Sequence, residues 1–375
     1  MRQILVRLPL RSLFTRALFA AFSALPFAAP SLAGPMEDAE AIIAAHKAMP
    51  AFTAPGEAFD ARACMKDKKM FVIPLTMTNP FNVQVSKAME EAAATVGFPL
   101  TNWDNQLKVD QWIQGMAQAT ADGYALIDLQ GGIPPEALMP QIAAAREKGI
   151  KVTTTHLYDV TQEKSDSLDA SARTNYSQAG KILAAWAFKK TEGKPNVVII
   201  GSDEIIPTAP FVKSIQETLA ALCPDCKQKY VNVPVPEWGT KIQSSVQSAL
   251  VADPGINFIL PIYDSMSQFV VPALRLTGRA GLVKIASYNG TPFVIDMVRT
   301  GEVDMNIGES LGWVGYAAID VNMRALCGLP PVENLNSPLY IFDAENAATA
   351  GVPATFNDGY GDSHIAGFKA LWGIE

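Results

Sequence analysis

The sequence predicts an α/β protein of two similar lobes, each a parallel sheet flanked by helices, with a cleft between them. Three observations carry that prediction. Short apolar runs alternate with stretches whose apolar residues recur every three or four positions, the pattern of buried strands followed by amphipathic helices. The plan occurs twice: FVIPLTMTNPF and NVQVSKAMEEAAATVG are answered by NVVIIGSDEIIPTAPF and VKSIQETLAAL, and DQWIQGMAQATADGYALIDLQ is answered by TKIQSSVQSALVADPGINFILPI. Finally, 375 residues at 49% hydrophobic content exceed one core, because single cores stop growing near roughly 250–300 residues.

Taken in order, the chain opens with a targeting pattern. Arg2, Arg7, Arg11 and Arg16 form a basic region without an acid, Ala17 to Ala29 is apolar, and Ser31-Leu32-Ala33 supplies small residues at −3 and −1. Residues 1–33 therefore read as a secretory signal peptide cleaved after Ala33. The apolar run is short and carries Pro26 and Pro30, which argues against a membrane anchor, and Gly34 rather than Cys follows, which argues against lipidation. Beyond the first forty residues no apolar run approaches the ~20 needed to span a bilayer. Removing four arginines takes the formal net charge from −7 to −11. An exported chain so acidic is a poor partner for nucleic acid or anionic lipid.

Residues 34–68 form an N-terminal extension in which EDAEAIIAAHKAM reads as one short helix followed by a loop. From Lys69 onward the strands FVIPL, YALIDL, VTTTH, NVVII, FILPI and VKIASY alternate with helical patterns. Such βα units give parallel sheets with right-handed connections. In open parallel sheets the ligand crevice lies at the carboxyl ends of the strands. That rule selects Thr76 to Phe81, Gln130-Gly131-Gly132, His156, Asp203 to Phe211, Tyr263-Asp264, Tyr288-Asn289, and Glu309 after the short strand VDMNIG.

Four cysteines fit an oxidising compartment. Cys223 and Cys226 form a CPDC turn that follows a helix and precedes a strand. A redox CxxC instead opens a helix, where the dipole lowers the thiol pKa, so a structural loop disulfide is expected. Cys64 and Cys327 fall in one lobe, compatible with a second bridge whose geometry the sequence leaves open. His46, His156 and His364 lack metal-ligand spacing. There is no G-x-S-x-G elbow or P-loop, and DLQGGIPPE lacks the spacing of a dinucleotide fingerprint. A non-catalytic protein without a cofactor is expected.

A strand, then TNPF, then a helix resembles the opening of the type I periplasmic binding proteins of the ribose and galactose class, the solute receptors of ABC importers. SYNGTP resembles that family's strand ending in an aromatic, an Asp or Asn, then Gly-Thr-Pro, and PEWGTKIQ resembles its aromatic segment before a helix. Repressors of the same fold carry a helix-turn-helix in front, where this chain carries an export signal. The resemblance spans roughly Lys69 to Asp343.

It implies an N-terminal lobe of residues 69–174 plus 310–336, a C-terminal lobe of residues 175–309 plus 337–350, and a tail of residues 351–375 packed on a lobe. Three crossovers near Thr174-Asn175, Ser310 and Ser337 would form the hinge. It also implies a periplasmic monomer that captures a small solute, with an inner-membrane ABC permease as partner and a sensor kinase or chemoreceptor as an alternative one. Phe81 matches the stacking aromatic and Asn79 a nearby polar contact. His156 stands where sugar-binding relatives place an Asp, Phe211 where they place an Arg, Tyr263 where they have Asn, and Asn289 where they have Asp. Trp238 matches the second lobe's aromatic wall, and Glu309 a hinge-proximal Gln. The lost Arg and Asp leave two ligand readings open: a sugar or polyol, or a flatter, more apolar or weakly cationic solute held by stacking and cation–π contacts.

Overall fold

The computed structural model describes residues 34–332 and 334–374. The expected signal peptide lies outside the described residues. After α1 (Pro35–Ala44) and α2 (Ala61–Met65) the chain builds β1 (Met70–Pro74), α3 (Pro80–Val96), β2 (Leu100–Asn102), α4 (Val109–Ala121), β3 (Leu126–Gln130), α5 (Met139–Glu147), β4 (Lys151–Asp159) and β5 (Ala170–Thr174). It continues with α6 (Tyr176–Lys190), β6 (Asn196–Gly201), α7 (Thr208–Leu222), β7 (Lys227–Asn232), α8 (Trp238–Ala252), β8 (Phe258–Pro261), α9 (Ser267–Leu276), β9 (Lys284–Asn289), α10 (Pro292–Arg299) and β10 (Met305–Gly308). Then follow α11 (Leu311–Cys327), β11 (Tyr340–Asp343) and α12 (Ser363–Leu371).

Two sheets result, in the orders β2-β1-β3-β4-β5 and β11-β10-β9-β8-β6-β7. All pairings are parallel except β10 with β11, because the chain reaches β11 from the opposite direction after α11. The inner strands β1, β3 and β8 are buried along their whole length, as doubly covered parallel sheets require, while the edge strands β2 and β7 are partly exposed. One face of the first sheet is covered by α3 and α11, the other by α4 and α5. In the second lobe α6 packs on α7 and α8 on α9. Each lobe uses a glycine for its closest helix contact. A Cβ at Gly315 would fall 2.4 Å from Cβ of Ala88, and one at Gly180 would fall 2.8 Å from the Phe211 carbonyl.

Buried acids pin the interior of each sheet. Oδ2 of Asp128 accepts hydrogen bonds from Thr153, Thr155 and Asn322. Asp264 accepts from the backbone N–H and hydroxyl of Thr291 and from Asn306.

The two terminal segments each reach both lobes. α1 packs on α6, and Nδ1 of His46 lies 2.9 Å from the Leu339 carbonyl, beside β11. α2 joins the first lobe through Cys64–Cys327. The second disulfide, Cys223–Cys226, closes the turn between α7 and β7. The sequence places the tail on one lobe, but it touches both. Tyr360 lies edge-on to Phe342 in the second lobe, whereas Trp372 stacks on Tyr316 and donates to Asp320 in the first. Phe52 of the extension packs against Phe368 of the tail, so the segments also hold each other.

Candidate functional site

The carboxyl ends of the two sheets face one cavity of about 590 Å³, within the range of small-molecule sites. Its first-lobe side begins at the β1–α3 junction. Asn79 caps α3 by accepting the Phe81 N–H on Oδ1 at 2.8 Å, a favoured use of Asn. Capping fixes the entry of α3 and holds the Phe81 ring at the cavity, with its centroid 4.7 Å from that of His156.

Across the cavity stands Trp238, the first residue of α8. Its indole N–H donates to the Ser202 hydroxyl at 2.9 Å and the Val233 carbonyl at 3.1 Å. It stacks on Tyr263, ring centroids 6.2 Å apart. The Tyr263 hydroxyl lies 2.7 Å from that of Thr208, which in turn donates to the Ser202 carbonyl. The polar atoms of this aromatic wall are therefore bonded inside the protein, and the rings turn apolar surface to the cavity.

The floor is formed where the chain crosses between the two sheets. His156 comes from β4, past a register shift between Thr155 and Asp159, and has φ of 60°. Asn289 (φ 149°) ends β9, and Ser310 (φ 55°) begins the crossover into α11. Three non-glycine residues in a sparsely populated region, each costing on the order of 1 kcal/mol or more, mark a strained floor. Nε2 of His156 bonds Glu309, and Nδ1 lies 2.5 Å from the Tyr176 hydroxyl. Burial, with the neighbouring Tyr263 and Glu309 charges, holds the Tyr176 hydroxyl well above the usual phenol range. A residue of the first lobe is thus clasped by two on the second-lobe side of the crossovers, and both its ring nitrogens are occupied.

Of the residues expected from sequence, Asn79, Phe81, His156, Trp238, Tyr263 and Asn289 line the cavity together. Two do not. Phe211 is fully buried, packed against Tyr176 and Tyr288, because α7 turns it inward onto β9. Glu309 is also fully buried, behind His156, and acts on the cavity only through that ring. The sequence reading missed Asn82, Tyr176, Gln268, Phe269 and Phe293, which line the cavity from the first turns of helices. Apolar spacing assigns such positions to a helix's inner face without showing that its first turn overhangs a cleft.

A family model described as periplasmic binding protein domain matches residues 70–330. A search of curated proteins finds no match. Among solved structures, an ABC sugar transporter subunit from Rhodobacter sphaeroides is similar at 17% identity and TM-score 0.65, over 75% of this chain and 100% of that one. A solute-binding protein from Agrobacterium vitis with bound allitol is similar at 18% identity and TM-score 0.65, over 75% and 96%. One from Actinobacillus succinogenes with bound D-allose is similar at 18% identity and TM-score 0.64, over 75% and 99%. At these identities the likeness is one of fold, but the family match covers well over half of the chain. The duplicated sheets, the cavity floored at the crossovers and that match agree: this chain belongs to the periplasmic binding protein domain family, whose members bind solutes rather than transform them.

Proposed function

We propose that this protein is the periplasmic solute receptor of an ABC importer, closing its lobes on a small solute and presenting the closed form to the permease. The observation that carries the reading is one cavity bounded by the carboxyl ends of both sheets and floored by the hinge strands of a solute-binding family. Ligand that touches Phe81 on one lobe and Trp238 on the other stabilises the closed arrangement by its differential affinity for it. Sugars and polyols are the leading ligand class, since allitol and D-allose occupy two proteins of similar fold. In this reading residues 1–33 direct export and are removed, and the mature chain works as a monomer. The site contacts are Asn79, Phe81, His156, Trp238, Tyr263 and Asn289.

A thermal-shift panel of sugars and polyols, followed by small-angle scattering, tests the reading. A ligand at a hundredfold above its Kd adds roughly 2.7 kcal/mol of stability, and its complex should be more compact than the free protein. Stabilisation without compaction would refute capture by lobe closure.

A further inference from the structure

Resting on the solute-receptor reading, we infer that the cleft selects solutes without an anionic group and reads their polar edge with uncharged groups alone. Among the described residues that line it, none is Lys, Arg, Asp or Glu. The one lining histidine, His156, has Glu309 against its Nε2 and the Tyr176 hydroxyl against its Nδ1, so neither ring nitrogen is free for an anionic solute. A carboxylate or phosphate drawn into this cavity would lose its water and meet no compensating cation.

The polar atoms left over define what is read instead. The Asn289 carboxamide, Nδ2 of Asn79 and Asn82, and Oε1 of Gln268 have no protein hydrogen-bond partner among the described residues, and all four side chains line the cavity. Carboxamides donate and accept without charge, so they suit hydroxyl, ether, carbonyl or ring-nitrogen edges. Neutral hydrogen bonds of this kind are about half as strong as charge-assisted ones. Much of the affinity must then come from the rings of Phe81, Trp238, Phe269 and Phe293, which favours a solute with an apolar face.

The rim is charged where the cavity is not. Exposed Asp203 and Glu204 directly precede the lining residue Ile205, and exposed Glu237 directly precedes Trp238. The second lobe's side of the mouth is therefore acidic, while exposed Lys108 directly follows the lining Leu107 on the first.

The test uses the purified protein, stripped of endogenous solute by denaturation and refolding, with matched pairs at millimolar concentration: D-galactose with D-galacturonate, D-ribose with D-ribonate, benzyl alcohol with benzoate, and adenosine with its monophosphate. Solutes retained after rapid gel filtration are identified by mass spectrometry, and each hit is titrated. The neutral member of a pair should bind tighter than the acid by on the order of a hundredfold, the consequence of leaving a charge buried without a partner. Its affinity should change by less than about twofold between low and high salt, because screening acts on charges. An acid binding as well as its neutral partner, or a strong salt dependence, overturns the inference while leaving solute capture standing. Retention of no probe at all counts against solute capture itself, and the inference falls with it.

Discussion

In the first lobe the strand ends facing the cleft carry threonines and carboxamides, with Phe81 as the main ring; in the second they carry Trp238 and Tyr263, whose polar atoms are already bonded to Ser202, Val233 and Thr208. Both lobes share one topology, and each offers the cavity two open carboxamides, Asn79 and Asn82 in the first and Gln268 and Asn289 in the second, but most of the ring surface comes from the second. The asymmetry extends inward. The first lobe is fastened by a disulfide across 263 residues, the second by one across three. The lesson is that the duplication sets where a ligand sits, while each lobe's own side chains set what it contributes there.

The disulfides offer the largest break in that comparison. Constraint of the unfolded chain grows with loop length, so losing Cys64–Cys327 by Cys64→Ser should destabilise by up to about 5 kcal/mol, against about 2 for Cys223→Ser. Chemical denaturation read separately for each lobe, with Trp238 reporting the second, checks it. Equal losses would mean that native-state contacts, not loop length, set the bridge's contribution.

Next come the buried acids. Burial, opposed by the hydrogen bonds from Thr291 and Asn306, pushes the Asp264 carboxyl up to about 7. Burial also raises Asp128, against the bonds from Asn322, Thr155 and Thr153. Because the folded pKa of Asp264 exceeds the unfolded value, the native state holds its proton more tightly. Its contribution is therefore most favourable below about pH 4 and is lost as pH rises towards 7, a swing on the order of 4 kcal/mol. Asp264→Asn should flatten the stability profile between those limits, measured by urea midpoints across the range. An unchanged slope would show that another group carries it.

Much of this molecule is legible in its sequence. Repeated βα units declare the two sheets, and the strand-end rule finds Asn79, Phe81, His156, Tyr263 and Asn289 because residues after parallel strands must face the crevice, while Trp238 is found only through the family resemblance. Phe211 and Glu309 defeat that rule for different reasons. Phe211 lies in the first turn of α7, on the face turned to β9, whereas Glu309 directly follows β10 and is buried behind His156. The helix-borne cavity residues Phe269 and Phe293 look like ordinary core positions. The tail's contact with both lobes is invisible to periodicity, since Tyr360 sits in a stretch without regular structure.

That tyrosine gives the third test. A Cβ at Gly290 or Gly308 would collide with the Tyr360 hydroxyl, so the ring sits in a two-glycine socket directly behind Asn289 and Glu309. Tyr360→Ala should cost about 3 kcal/mol or more, the usual loss for emptying a buried aromatic site. Hydrogen exchange should rise at Asn306 to Ser310 and stay unchanged around β1 and β3. Uniform exchange gains in both lobes would mean that the tail supports the whole fold rather than the floor of the second.

The smallest effect is the most direct probe of the two walls. Trp238→Phe keeps a ring against Tyr263 but removes the N–H that reaches Ser202 and Val233. It should lower stability by about 1 kcal/mol, the net value of a hydrogen bond, while leaving solute affinity nearly unchanged, because that N–H is turned away from the cavity. Phe81→Leu should do the reverse. The ring lines the cavity and makes no hydrogen bond through its side chain, so its loss should weaken binding of a neutral ring solute by about 1 kcal/mol, the range of an aromatic pair contact, with a smaller change in folding. Calorimetric titration beside denaturant midpoints separates the two. If Trp238→Phe weakens binding as strongly as Phe81→Leu, the indole N–H reaches the ligand after all.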